Sequence, residues 1–337
     1  MPSDKVTSLD VAKKAGVSQS AVSRVFTKGA SASQKTIDRV KKAAAELGYR
    51  PNVLARSLIT GRSRIIGLVV AYLDNYFYPE ALEKLSNSLQ KRGYHVMIFM
   101  ASNTTENIEN VVDEMLDYQV DGIVAASVAM SSNLADRCAS AGIPLVFFNR
   151  SQEGKNLSCV TSDNFAGGQK IAAFLATHKP RHIGYIAGWE GASTQRDREA
   201  GFIKGLQAAG LSIGSRTVGN FHTNQARQAT IDMFAKPDHP DAVFVANDHM
   251  AFAVMDVLRS DLAKHVPNDV KLVGYDDAPP SAWPAYDLTT VRQAANRMVN
   301  ETVTLLMETI EDGAPKARII EIDGPLIIRG SAPNAKG

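Results

Sequence analysis

Two sets of residues in this sequence have the types and spacing to do chemistry. The first lies in "SQSAVSRVF", where Gln19, Ser20, Ser23 and Arg24 fall on one side of a helical repeat and Ala21, Val22 and Val25 on the other. A glutamine amide pairs bidentately with adenine, and a serine hydroxyl serves several bases. Ser23, Arg24 and the nearby Lys28 suit phosphates, which position a protein on a duplex without specifying sequence. The second set recurs just beyond short apolar runs. Asp74 and Asn75 follow "RIIGLVVA", Asn149 and Arg150 follow "PLVFF", Asn247 and Asp248 follow "AVFVA", and Asp276 and Asp277 follow "LVGY". One such residue alone reads as a helix cap. Repeated at strand ends, carboxylates, amides and a guanidinium describe a cleft for a small polar ligand.

The elements that position the first set are short helices. Thr7 and Asp10 form a capping box ahead of Val11, Ala12 and Ala15, and Gly16 ends that helix. Ser18 caps the next one, and Ser33 a third that keeps Ile37, Val40, Ala44 and Leu47 at helical spacing. Two helices joined by a tight glycine turn, with a third behind, describe a helix-turn-helix whose second helix enters the major groove. A further short helix starts at Pro51 and Asn52 and stops at Gly61. It carries Leu54, Ala55 and Leu58 beside Arg56 and Arg62, and at about two turns it is marginal in water.

The second set sits on a longer alternation. From residue 63, apolar strands alternate with amphipathic helices, and the rhythm restarts after Asp163. This predicts two successive doubly wound α/β subdomains with parallel sheets. The late helix 294–311 and the strands "RIIEI" and "LIIRG" are expected to return across the junction. The expected domains are a helix-turn-helix unit 1–51, a hinge helix and linker 52–62, and an effector-binding and dimerisation domain 63–330. Its N-subdomain takes about 63–162 and 293–322, its C-subdomain about 163–292 and 323–330.

Charge supports this division. Residues 1–62 hold twelve Lys and Arg against four Asp and Glu, a net +8, whereas residues 63–337 hold 25 against 31, a net −6. A basic head on an acidic body points to an anionic partner for the head. No apolar run reaches the ~18 residues of a membrane span, and the N-terminus has no apolar signal core, so a cytoplasmic location is expected. Cys138 and Cys159, the only cysteines, lack metal spacing and read as buried small hydrophobes. No metal or cofactor is expected. Phosphate-binding glycine loops, nucleophile elbows and zinc-binding helices are missing from the sequence, which speaks against an enzyme. A transport receptor of the same body fold would need an export signal and have no use for the head.

"DVAKKAGVSQSAVSRVF" followed by "YRPNVLARSL" resembles the lac/galactose repressor family of bacterial transcription regulators. The pattern departs at Ser8, where the family usually has Ile or Leu and where Leu9 is expected to supply the packing. It departs also at Ala21, often Thr, which removes a hydroxyl contact to the DNA backbone. The resemblance implies a dimer on a pseudo-palindromic operator, with residues 52–59 as a hinge helix in the minor groove and Leu58 wedged into the central base step. The expected DNA-facing residues are Thr7, Ser18, Gln19, Ser20, Ser23, Arg24, Lys28, Asn52, Ala55, Arg56 and Leu58. The body resembles the family's periplasmic-binding-protein-like effector domain. By that resemblance Arg198, Asp276, Asn247, Phe77, Tyr78, Phe221, Thr194 and Gln293 fall at ligand-contacting positions, and Trp283 either walls the pocket or serves the interface. With Asn149, and with Arg150 and Arg196 able to join Arg198 on a carboxylate, the set suits a sugar or a sugar acid. Nucleobase-responsive members of the family keep that alternative open.

Overall fold

The computed structural model describes residues 6–26, 31–50, 61–71, 73–101, 105–128, 132–151, 157–313 and 317–335. The chain forms two compact units, residues 1–63 and 64–337. The expected helix 52–59 lies outside the described residues, and with it Asn52, Ala55, Arg56 and Leu58. Lys28 lies outside them too.

The first unit is built from α1 (Ser8–Ala15), α2 (Gln19–Phe26) and α3 (Gln34–Leu47). Thr7 accepts from the Asp10 amide while the Asp10 carboxylate accepts from the Thr7 amide, a complete capping box. Gly16 closes α1 in the left-handed conformation at φ 60°, which lets α2 turn back over α1. Val11, Ala12, Ala15, Val22, Val40, Ala43 and Ala44 form the small core. The Arg39 guanidinium closes it by donating to the carbonyls of Ala15 and Gly16.

The second unit holds two six-stranded sheets. The first contains β1 (Ile65–Val70), β2 (His95–Met100), β3 (Gly122–Ala126), β4 (Leu145–Phe148), β5 (Ser158–Ser162) and the late β11 (Ile319–Ile322), in the order β11-β5-β4-β3-β1-β2. The second contains β6 (Ile183–Ala187), β7 (Ser215–Val218), β8 (Ala242–Val245), β9 (Lys271–Asp276), β10 (Thr289–Arg292) and β12 (Leu326–Ile327), in the order β12-β10-β9-β8-β6-β7. All pairings are parallel except β10 with β12. This is the doubly wound α/β architecture the alternation predicts. In each sheet the order reverses once, between β1 and β3 and between β6 and β8. Such switch points open a crevice at the strands' carboxyl ends.

The connecting helices are α4 (Phe77–Lys91), α5 (Thr105–Asp117) and α6 (Ser132–Ser140) on the first sheet. The second carries α7 (Asn164–Thr177), α8 (Ser193–Ala208), α9 (Thr223–Phe234) and α10 (Asp248–Asp256), and α11 (Ala295–Asp312) returns to the first. The chain passes between the sheets from β5 to α7, from β10 to α11 and from β11 to β12. These passages are stitched together: Ser162 Oγ donates to Gln293 Oε1 at 2.8 Å, and the Asp163 amide donates to the Ile322 carbonyl at 3.0 Å.

Two sequence expectations change here. Strand β5, "SCVTS", carries no apolar run and is not among the expected strands; it is buried because β4 and β11 flank it on both sides. Leu9 does not supply the packing expected of it at the Ser8 departure. It is 47% exposed, and the Ser8 hydroxyl instead receives the Gln19 amide, Nε2 to Oγ at 2.9 Å. Among the described residues, no helix is long and apolar enough to cross a membrane.

Candidate functional site

On the first unit, Val22 turns inward from α2 and its spacing carries Gln19, Ser20, Ser23 and Arg24 to the exposed side. The N-terminal turn of α2 thus presents an amide and a hydroxyl to solvent. The Ser18 and Ser20 hydroxyls lie 2.9 Å apart, and Arg24 Nε reaches the Ser20 carbonyl at 3.4 Å. The Thr7 hydroxyl is committed locally, donating to Asp10 Oδ2 at 2.7 Å.

On the second unit, the switch points of the two sheets enclose a cavity of about 400 Å³. It is lined by Asp74, Asn75, Tyr78, Asn149, Arg150, Thr194, Arg198, Phe221, Asn247 and Asp276. Asp74 and Asn75 follow β1, and Asn149 and Arg150 follow β4. Asn247 follows β8 and Asp276 ends β9. Helix α8 adds Thr194 and Arg198, four residues apart and therefore on one face.

Arg198 is the most constrained of these side chains. It is 3% exposed; Nε donates to Asn164 Oδ1 at 2.8 Å, Nη1 to the Ala246 carbonyl at 2.6 Å, and Nη2 lies 3.4 Å from Asp276 Oδ1. Its guanidinium lies over the Tyr275 ring, 3.7 Å from the centroid. Asp276 also accepts from Gln293 Nε2 at 2.6 Å. Burial pushes the Asp276 carboxyl up to about 6, against the opposing pull of Arg198 and of the amides of Gln293 and Asn75. Asn247 uses Oδ1 to cap α10, accepting from the Met250 amide at 3.1 Å, which leaves its amino group for the cavity. Asn149, at φ 60°, donates from Nδ2 to Tyr78 Oη at 3.3 Å, and its Oδ1 is buried with no hydrogen-bond partner. A buried acceptor in that state costs free energy until a donor reaches it.

Contacts between the two sheets' loops surround the cavity. The Arg150 guanidinium sits 5.2 Å from the Trp189 ring centroid, and the Ser151 amide donates to Ser193 Oγ at 3.0 Å. Asp74 lies 3.6 Å from His249 Nε2.

Of the residues singled out in the sequence, Tyr78, Asn149, Arg150, Thr194, Arg198, Phe221, Asn247 and Asp276 line this cavity. The other four lie elsewhere. Phe77 is buried behind Tyr78, stacked on Phe148 at 6.2 Å. Arg196 is exposed and donates to the Gly191 carbonyl, because two positions along a helix from Arg198 is the opposite side. Trp283 is 52% exposed and away from the cavity wall. Gln293 stands one bond back, holding Asp276. Asp248 and Asp277 also turn away. Asp248 accepts from the Ala278 amide and from the hydroxyls of Ser281 and Thr290, and Asp277 pairs with Arg292 and Arg329. Sequence reasoning missed Trp189, whose only signal is its place between two glycines in "GWEG".

An exposed helix-turn-helix face and a polar cavity at doubled switch points define a class: DNA-binding regulators with a ligand-binding body. The comparisons with known proteins agree. Residues 7–52 match the model of bacterial regulatory proteins of the lacI family, and residues 66–307 match a periplasmic binding protein domain. The chain is 30% identical to the HTH-type transcriptional repressor PurR of Pasteurella multocida, over 96% of this chain and 97% of that one. In structure it is similar to the lac repressor dimer bound to operator and an anti-inducer, with TM-score 0.88 and 26% identity over 98% and 100% of the two chains. It is similar also to the transcriptional regulator CelR in complex with cellobiose, with TM-score 0.72 and 28% identity over 97% and 100%. The chain belongs to the lacI family of bacterial regulatory proteins and is a DNA-binding transcriptional regulator.

Proposed function

We propose that this regulator is a cytoplasmic, non-enzymatic repressor that binds a pseudo-palindromic operator as a homodimer, with a sugar or sugar acid in the cavity setting its affinity. The carrying observation is the chemistry left unspent in that cavity. Asn149 Oδ1 is a buried acceptor awaiting a donor, the Asn247 amino group is a donor, and Arg198 and Asp276 stand beside one another. A hydroxyl both donates and accepts, so adjacent hydroxyls satisfy such a mixed set. Phe221 adds an apolar wall for the face of a sugar ring. Arg150 on the far side supplies a cation for the carboxylate of a sugar acid.

In this reading residues 1–51 read the operator, 52–62 form the hinge helix and 63–330 bind effector and pair the subunits. Ligand closing the cleft between subdomains, 63–162 with 293–322 and 163–292 with 323–330, shifts the hinges of the dimer. The coupling required is about 1–3 kcal/mol. Replacing Leu58 with Ala is expected to reduce operator affinity more than non-specific affinity.

A second reading has specific support. The relatives carrying the name PurR, together with the Phe221 ring as a stacking surface, favour a nucleobase. Thermal unfolding with D-glucose, cellobiose, D-gluconate, hypoxanthine and guanine separates the two, because a bound ligand raises the melting temperature with its concentration. A concentration-dependent rise with a sugar or gluconate supports the first reading. A rise with hypoxanthine or guanine alone replaces it with the second.

A further inference from the structure

The loop after β6, "GWEG", contains two glycines, and an aromatic ring occupies the space beside each. A Cβ on Gly188 would stand 2.2 Å from Cε1 and Cζ of Phe221 and 2.7 Å from its Cε2. A Cβ on Gly191 would stand 2.3 Å from Cζ2 of Trp189. The distal edge of the Phe221 ring therefore rests in the notch that glycine leaves at 188. The backbone does not require glycine there: Gly188 is outside the left-handed φ region, so the ring alone bars a side chain.

The notch is itself held rigidly. The Gly188 amide donates to Gln195 Oε1 at 2.6 Å, and the same oxygen accepts from Tyr185 Oη at 2.9 Å. Gln195 Nε2 donates to Glu199 Oε2 at 2.9 Å, and Glu199 is paired with Arg216 at 2.6 Å. Gln195 is 1% exposed and lies on α8 beside Thr194, which lines the cavity. Phe221 is held from its own side too, at φ 61° directly after Asn220 at φ 53°. Its ring thus meets the cavity as a wall fixed before any ligand arrives.

We infer that Gly188 is a positioning residue for effector specificity: its missing side chain seats Phe221, and Gln195 locks the seat to α8. This rests on the reading of the cavity as the effector site. A fixed ring favours ligands with a flat apolar face at one depth, because no reorganisation is needed on binding.

The test is a double-mutant cycle on the full chain with Gly188→Ala, Phe221→Leu and the pair. The leucine of Phe221→Leu is too short to reach the notch. Gly188→Ala is expected to lower the melting temperature by about 2–10 °C with Phe221 present, from overpacking, and by less than half as much in the Phe221→Leu background. Equal losses in both backgrounds overturn the seat, and this arm needs no ligand. In the second arm, whichever of the five compounds stabilises the wild type is titrated by calorimetry. Gly188→Ala is expected to weaken it about tenfold with Phe221 present and less than twofold in the Phe221→Leu background, a split a merely structural glycine does not give. Unchanged affinity for that compound in Gly188→Ala overturns the positioning role. Should none of the five bind, the sugar and nucleobase readings fail, and the thermal cycle alone decides the seat.

Discussion

The two units meet their ligands in opposite ways. On the helix-turn-helix unit, Gln19, Ser20, Ser23 and Arg24 are all exposed, and the bonds recorded for Gln19, Ser20 and Arg24 are to small neighbours: Gln19 to Ser8, Ser20 to Ser18, Arg24 to a backbone carbonyl. In the cavity, Arg198, Asp276, Asn247 and Asn149 are buried and held by bonds that join distant parts of the chain. A duplex is large and charged, so it can order side chains as it binds. A small ligand makes too few contacts to reorganise buried charges, so its site must exist beforehand. Substitutions in the cavity should therefore cost stability and binding together, and substitutions on α2 binding alone.

The strongest test of that contrast is Arg198→Ala. It strands the Asp276 carboxylate and leaves Asn164 Oδ1 and the Ala246 carbonyl without their donor. Removing one member of a buried pair costs about 3–5 kcal/mol. Denaturant titration is expected to show that loss, and thermal unfolding no response to any effector. A loss below about 1 kcal/mol would break the contrast.

On the head, Gln19→Ala is expected to cost about 1–3 kcal/mol of specific operator affinity and to relax preference at one base pair. Its melting temperature should match wild type. Selection from a random duplex library, followed by binding to the selected site and to unrelated DNA, measures both. Equal loss on both DNAs would remove Gln19 from base reading and reduce it to a backbone contact.

The head was the more legible half for the same physical reason. Helix periodicity alone decides which residues of α2 face out, and caps at Thr7, Gly16 and Ser33 are written locally. The cavity was legible as strand-end polarity, but not in its phase. Consecutive residues leaving a strand point to opposite sides, so Asn247 and Asp276 face the cavity while Asp248 and Asp277 do not. Arg196 and Arg198 divide in the same way on a helix. Gln293 acts at one remove, through a hydrogen bond between positions 17 residues apart, which spacing does not encode. Strand β5 was hidden because its burial comes from its neighbours and not from its own apolarity.

Asp248 gives a pH test of the buried half. It is fully enclosed, and burial, with the nearby charge of Asp276, pushes its carboxyl up to about 7. A carboxyl whose folded value lies above its unfolded one binds more protons when folded, so its contribution to stability falls as pH rises between the two. The wild type is thus expected to lose stability from Asp248 as pH climbs from about 4 to about 7. Asp248→Asn does not titrate. Its melting temperature relative to wild type should rise between pH 5 and pH 8, read by thermal unfolding in matched buffers. A difference that is flat, or that falls with pH, would mean Asp248 is held charged by its three donors.

The smallest expected effect is the sharpest on the head. Ser8 stands where related repressors usually carry an apolar residue, and its hydroxyl accepts from Gln19 Nε2 at 2.9 Å. The pair is solvent-reached, so the bond itself contributes little to folding, about 0.5–1.5 kcal/mol at most. Its use is orientation. A glutamine amide rotates freely about its last torsion, and one N–H fixed on Ser8 leaves the second N–H and Oε1 in a set plane for a base edge. Ser8→Ala should leave the melting temperature unchanged and lower the ratio of specific to non-specific affinity by about two- to fivefold, within the energy of one exposed bond. Ser8→Thr, which keeps the hydroxyl, should restore it. A Ser8→Ala chain that melts several degrees lower would show that the head, too, builds its reading surface into its core, and the contrast between the two units would narrow to one of degree.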